Sequence, residues 1–341
     1  MNKMVDVAII DSGIDMRNTD LCNMVSKGFS LDFTNSNIVY QNEYNDLNGH
    51  GTYCASIIRR FCPEVRFTII KILDQNKLGC SKCLIEALDY LYHNPVDIVN
   101  MSLSTQDEQF GKELWEICGK MKRSGMILVS SLANHAEISY PAVCEGVIGV
   151  RGSQFLKEKE YIYHSDETIQ CLGSSIPVLV EGPNGIYTFF GGNSKAAANI
   201  SGIIAAQLQK SGTTDNFEES FKENAQDTEK KGQTLPINCI INNKITISEE
   251  LCDESDFKQL KMIMQEVLKI PVEKRKLLFE RSILHPEFNI DRENFGKLMM
   301  AIEKEWKISL KKEEINLLSI RDITTIYDLL KRTEINEDFK K

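Results

Sequence analysis

A three-layer α/β domain with a mainly parallel sheet, followed by a separate all-α helical bundle, is the fold class that this sequence predicts. Two observations carry the prediction. Over residues 1 to about 210, short runs rich in Val and Ile alternate with helical stretches, the pattern of a sheet covered by helices on both faces. From about Cys252 onward that alternation stops, and Lys, Glu, Leu and Ile recur at helical spacing.

Taken in order, the expected strands are Val5–Ile10, Arg66–Ile72, Val96–Met101, Met126–Ser131 and Gly146–Val150. Each is a continuous apolar run, which suits a strand buried on both faces. Helices are expected near Thr52–Arg60, Ser81–His93, Phe110–Ser124 and Lys195–Lys210. In such sheets, functional groups gather at the carboxyl ends of the strands. Ser211–Gln233 is polar and reads as a connector with a short helix, while Asn242-Asn243 between apolar runs predicts a hairpin over Ile237–Ser248. Phe257–Leu268, Phe295–Trp306 and Thr324–Leu330 have helical periodicity. The expected boundaries are residues 1–212 for the α/β domain, 213–252 for the connector, 253–335 for the helical domain and 336–341 for a tail.

Composition narrows the function. A chain of 341 residues that is 42% hydrophobic has apolar surface enough for two packed domains, which excludes a disordered or disulfide-stapled chain. The formal charge of -9 argues against nucleic acid as a partner. No run reaches the roughly eighteen apolar residues of a membrane span. Met1–Met4 leads straight into the first strand without a signal-like stretch or cleavage site. No membrane partner is therefore expected, and residence in the cytoplasm is. The ten cysteines are scattered, as suits reduced thiols, and Cys80-Ser81-Lys82-Cys83 lacks a second pair at zinc spacing. No metal and no cofactor are expected, and nothing in the sequence indicates calcium.

Three short motifs carry the chemistry. Asp11-Ser12-Gly13 follows the opening strand, Asn48-Gly49-His50-Gly51-Thr52 opens a helix, and Gly191-Gly192-Asn193-Ser194-Lys195 opens another. An acid at a strand end, with a His and a Ser at helix starts, is what nucleophilic acyl transfer requires. Serine is a poor nucleophile until a base takes its proton, and the base needs a carboxylate to fix its tautomer. The glycines beside His50 and Ser194 allow close backbone approach.

In this order the motifs resemble the subtilisin-like serine proteases, over roughly residues 5–210. The resemblance implies a subtilisin-like fold and a serine endopeptidase working through an acyl-enzyme. Asp11 would be the orienting acid, His50 the general base and then acid, and Ser194 the nucleophile. It also implies that Asn134, after the strand that runs into Leu132-Ala133, donates its amide to the oxyanion. Ser102, Leu103, Ser104 and Ala133 would line the cleft, with Ser102–Ser104 pairing along an extended peptide. The implied partner is a peptide or protein substrate, cut at limited sites, as in leader removal from a ribosomally made modified peptide. Two alternatives keep the same cleft: a scaffold that only binds peptides, and a ligase or macrocyclase in which an amine outcompetes water.

The departures are informative. The family usually has Met after the nucleophile and Pro at the end of the motif, where this chain has Lys195 and Ala198. A cation at Lys195 must find a carboxylate or water, because an unpaired buried charge is costly. Ala133 stands where Gly is usual. Glu137, in the loop that follows, either favours a basic residue at the cleavage site or is an exposed loop acid. Cys54 lies one helical turn after His50, either an inert buried thiol or a reactive one beside the base. Asp15 is expected as a solvated or capping residue, and His93, His135, His164 and His285 as structural.

Residues from about 255 to 333 resemble an acyl or peptidyl carrier protein, on Leu298–Ile308 and Ser319–Leu330. Carriers place a Ser at the start of their second helix for phosphopantetheine. Here Asp291-Arg292-Glu293 stands there, with no Ser or Thr between His285 and Lys297. Tethered acyl transfer is thus not expected, and docking of a protein partner is.

Overall fold

The computed structural model describes residues 3–155, 157–185, 187–214, 216–226, 247, 251, 254–288, 290, 292–312 and 315–338. The chain divides into two compact units, Met1–Thr234 and Leu235–Lys341. The first unit begins with β1 (Val5–Asp11), α1 (Thr19–Cys22), β2 (Val25–Thr34), β3 (Asn37–Gln41), α2 (His50–Phe61), β4 (Val65–Lys71) and α3 (Ser81–His93). It continues with β5 (Ile98–Met101), α4 (Gly111–Arg123), β6 (Ile127–Ser131), β7 (Val147–Ser153), β8 (Tyr161–Tyr163) and β9 (Cys171–Ser174). The hairpin strands β10 (Val178–Glu181) and β11 (Tyr187–Phe190) then precede α5 (Gly192–Ser211) and α6 (Phe217–Glu223).

Nine strands form one sheet in the order β3-β2-β4-β1-β5-β6-β7-β9-β8. Every pairing from β2 across to β9 is parallel, and only the two edges, β2 with β3 and β9 with β8, are antiparallel. The mainly parallel sheet expected from the sequence is thus present. Its cause is visible in β1. Val5, Val7 and Ile9 pack on one face with Ala55, Ile57 and Ile58 of α2 and Ile200 and Ile204 of α5. Ala8 and Ile10 pack on the other with Leu84 and Leu88 of α3 and Leu114 and Ile117 of α4. Both faces are dry, so the strand has no polar alternation; each such side chain contributes about 1.5–3 kcal/mol when fully buried.

The five expected strands correspond to β1, β4, β5, β6 and β7, and the four expected helices to α2–α5. The edge strands were not expected. Most of β2 is solvated, with only Phe29, Ser30 and Leu31 buried, and β3 is exposed along most of its length, so neither presents the apolar run of a central strand. The short helix expected after residue 211 is α6, whose Phe221 stacks on Tyr161 of β8 at 4.4 Å and accepts that tyrosine's hydroxyl at 2.7 Å. The hairpin expected over Ile237–Ser248 lies outside the described residues, apart from Ile247.

The chain leaves β1 for β4 on one side and returns past it to β5 on the other. Such a reversal opens a crevice at the carboxyl ends of the strands.

Among the described residues of the second unit, the long α-helices are Ser255–Val267, Arg292–Trp306 and Ile323–Asp338. Phe257, Leu260, Met264, Leu298, Ile302, Ile326 and Leu330 are buried. Asp322 caps the third helix: its carboxylate accepts from Thr324 N at 3.0 Å and Thr325 N at 2.9 Å, and Thr325 Oγ1 accepts from Asp322 N at 2.9 Å. Burial pushes that carboxyl up, but these donors and Arg321 outweigh it and hold it below the usual range. Asp291 lies outside the described residues, and the helix that follows it opens at Arg292.

Candidate active site

β1 delivers Asp11 to the crevice, fully buried. Its Oδ1 accepts from Ser12 N at 2.8 Å, and His50 Nδ1 lies 2.8 Å from Oδ1 and 3.0 Å from Oδ2. His50 is the first residue of α2, and local chemistry fixes that start. Asp46 accepts from Asn48 N at 3.0 Å, Gly49 N at 2.7 Å, Thr52 N at 3.0 Å and Thr52 Oγ1 at 2.6 Å, gathering donors that a helix leaves open at its first turn. Gly49 turns through φ 103°, a left-handed conformation that glycine adopts without a Cβ penalty. Gly51 is required by proximity instead, since a Cβ there would stand 2.2 Å from the Gly13 carbonyl. The helix can therefore butt against the turn that follows Asp11.

Ser194 is placed by α5. The Asn193 side chain donates to Leu132 O at 2.8 Å and accepts from Gly152 N at 2.8 Å, stapling the start of that helix to the ends of β6 and β7. Ser102 Oγ donates to Ser194 O at 3.0 Å and receives Asn100 Nδ2 at 3.2 Å, while Ser201 Oγ donates to Asn100 Oδ1 at 2.9 Å. This buried chain ties β5 to the helix that carries Ser194. Sequence reasoning missed Asn100, Ser201, Asn193 and Asp46. For Asn100 a signal existed: a lone amide inside Ile98-Val99-Asn100-Met101 must find partners once buried.

His50, Ser102, Leu103, Ser104, Ala133, Asn134 and Ser194 line one cleft of about 500 Å³, with Asp11 behind His50. The eight residues singled out from the sequence thus lie at one place. One detail differs from the expected relay. The Ser194 hydroxyl donates to Ser102 O at 3.2 Å, and no hydrogen bond joins it to His50. That carbonyl is the acceptor it finds, and rotation about one side-chain bond frees it.

Lys195 has found its carboxylate. Its side chain is fully buried, Nζ lies 3.1 Å from Glu158 Oε1, and Ser174 Oγ accepts at 3.3 Å. Burial pulls its ammonium below the ordinary range; Glu158 opposes that, and Arg60 adds to it. Asn199 Nδ2, one turn along α5, donates to Glu158 O at 3.1 Å. Ala198 is buried beside it in the core.

One expectation needs correction, and one open alternative is decided. Asp15 is neither solvated nor a helix cap: it is buried and holds Arg17 Nε at 2.9 Å. Glu137 is exposed and does not line the cleft, so a preference for basic residues finds no support there.

Cys54 is buried with Sγ 3.8 Å from Asp11 Oδ2. Among the described residues, Asp11, His50 and Cys54 are the group with metal-ligand spacing, their ligand atoms lying within 4.8 Å of one another. Their mutual hydrogen bonds account for that spacing. Burial and the Asp11 charge push the thiol up, away from the reactive thiolate. Iodoacetamide at neutral pH is therefore expected to leave Cys54 unmodified in the folded protein and to alkylate it in urea. Peptide mass spectrometry reads this directly, and rapid native alkylation would mean that the thiol is reached from the cleft.

Comparison with known proteins adds an independent line. The family model described as "Subtilase family" matches residues 2–235. The major intracellular serine protease of Bacillus subtilis (strain 168) is 28% identical over 252 residues, covering 69% of this chain and 77% of that protein. The intracellular serine protease of Paenibacillus polymyxa is 27% identical, covering 59% of this chain and 65% of that one. For the minor extracellular protease Epr of Bacillus subtilis the identity is again 27%, but the match spans only 32% of its length. Among solved structures, the epidermin leader peptide processing serine protease (EpiP) of Staphylococcus aureus superposes with a TM-score of 0.53 at 15% identity, covering 64% of this chain and 68% of that one. At that identity what is shared is the fold. Among the described residues, no helix is long and apolar enough to cross a membrane.

Proposed function

The chain belongs to the subtilase family of serine endopeptidases, and from that premise we propose that it makes a limited cut in a peptide or protein substrate, such as removal of a leader from a ribosomally made modified peptide. The observation that carries the reading is the Asp11–His50 pair facing, across one cleft, a serine at a helix start. In this reading Ser194 Oγ attacks the scissile carbonyl while His50 Nε2 takes its proton. Asp11 holds Nδ1–H and stabilises the imidazolium. The oxyanion meets the amide of Asn134 and the open N–H groups of the first turn of α5. The imidazolium then protonates the leaving amine, and water releases the acyl group by the same route in reverse.

A cytoplasmic setting is part of the proposal, supported by the intracellular relatives and by the free cysteines of the first unit. So is a docking role for the second unit, supported by its own buried core and its carrier-like helices without the phosphopantetheine serine.

The test is a fluorophosphonate probe followed by peptide mapping. An adduct on Ser194 is expected; a folded protein without one would favour a chain that only binds peptides, the reading on whose side the Ser194–Ser102 hydrogen bond stands. For limited processing, a co-expressed precursor is expected to show one cut, and several unrelated cuts would count against it. Asn134→Leu is expected to lower kcat by roughly 10²–10³-fold with KM little changed, the scale known for the subtilisin oxyanion amide. Steady-state kinetics on one peptide checks it.

A further inference from the structure

The lining of the cleft that holds His50 and Ser194 includes Ser102–Thr105 and the segment Lys77–Ser81. Among the described residues that line it, none is an Asp or a Glu, and Lys77 is the one lysine or arginine. Lys77 is exposed and, among the described residues, forms no ion pair with a carboxylate.

The loop that carries Lys77 is built rather than loose. Leu73 bridges Gly79, Asp74 N donates to Leu78 O at 2.9 Å, and Lys77 N donates to Asp74 O at 3.1 Å. The Asp74 carboxylate accepts from Asn76 N at 2.8 Å and Leu78 N at 2.9 Å. Gln75 O receives Asn48 Nδ2 at 2.8 Å, which ties the loop to the segment entering His50. Within this frame Lys77 takes φ 63°, the left-handed region that tight hairpins normally give to glycine. A lysine breaks that local rule at a cost, and such breaks cluster where a side chain must be presented. Leu78 beside it is 69% exposed at the rim of the same cleft.

We propose that Lys77 is a specificity-determining residue that selects an acidic side chain, Asp or Glu, in the peptide bound along the cleft. The inference rests on the peptide-cleaving reading and deepens it. An ammonium at the wall of a cleft without acids attracts a carboxylate and repels a lysine or arginine, so the discrimination is a difference between two substrates rather than a gain for one.

The experiment uses the full chain in two forms. The first is hydrolysis of blocked peptides that differ only by Glu, Gln or Lys at each position around the cleaved bond. The second is fluorescence anisotropy of the same peptides on Ser194→Ala, which needs no chemistry. Glu is expected to exceed Lys by about three- to fivefold at one position, shrinking with added salt. Lys77→Glu should invert the order at that position, and Lys77→Arg should keep it. A Lys77→Glu protein with unchanged Glu-to-Lys ratios in both forms would overturn the proposal. Binding that prefers Glu, with no hydrolysis by the unmodified chain, would sink the peptidase reading and leave this one standing.

Discussion

Ser194→Ala is expected to lower kcat by roughly a millionfold, the scale seen when the nucleophile of the subtilisin triad is removed. His50→Ala should cost about as much, and the double variant scarcely more, because in the proposed mechanism base and nucleophile act as one unit. The geometry gives the reason. His50 is oriented at Nδ1 by a buried carboxylate 2.8 Å away, so its other nitrogen has one task in the cleft. Single-turnover hydrolysis of a peptide, with urea unfolding as a check on the fold, reads the effect. A Ser194→Ala protein that keeps more than about a hundredth of the rate would show that hydrolysis takes another route.

Glu158→Ala is expected to destabilise the first unit by about 3–5 kcal/mol at pH 7, because it leaves the Lys195 ammonium buried with, among the described residues, Ser174 as its one acceptor. The groups around that ammonium are Glu158 from the loop before β8, Ser174 at the end of β9, Arg60 from α2, and Asn199, which holds the same loop. Its pH dependence has a definite sign. Lys195 releases its proton more easily in the folded chain than at its ordinary value of 10.5. The charged form therefore weakens the fold at low and neutral pH. That loss is recovered as pH rises through the folded value towards the unfolded one. The deficit of Glu158→Ala should accordingly shrink between pH 7 and pH 10, and adding Lys195→Met should remove most of it at both. A deficit equal at the two pH values would mean that the ion pair is not its source. Activity should fall with stability, since Lys195 is the next residue after Ser194 on α5.

Much of the site was legible because its signals are local. Gly49 and Gly51 flank His50 for reasons of backbone conformation and proximity, and such reasons leave a mark in consecutive residues. The central strands were legible because burial on both faces removes polar alternation. What was not legible depends on contacts across the chain or on loop shape. Nothing beside Lys195 announces Glu158 as its partner, because that carboxylate comes from a separate loop. Lys77 reads as an ordinary surface lysine until its left-handed turn sets it at the wall of the cleft. The edge strands β2 and β3 escaped because a largely solvated strand lacks the pattern by which a buried one is recognised.

The positions of Asp11, His50 and Ser194 along the chain have a consequence for biosynthesis. On the roles proposed above, a ribosome releases the acid early and the base soon after, but the nucleophile arrives only with α5, most of the way through the first unit. That helix then has to dock against α2 and β5 before any bond can be cut. On the proposed roles the nascent polypeptide cannot cut itself until α5 has been made and docked, so hydrolytic competence waits on that one packing step.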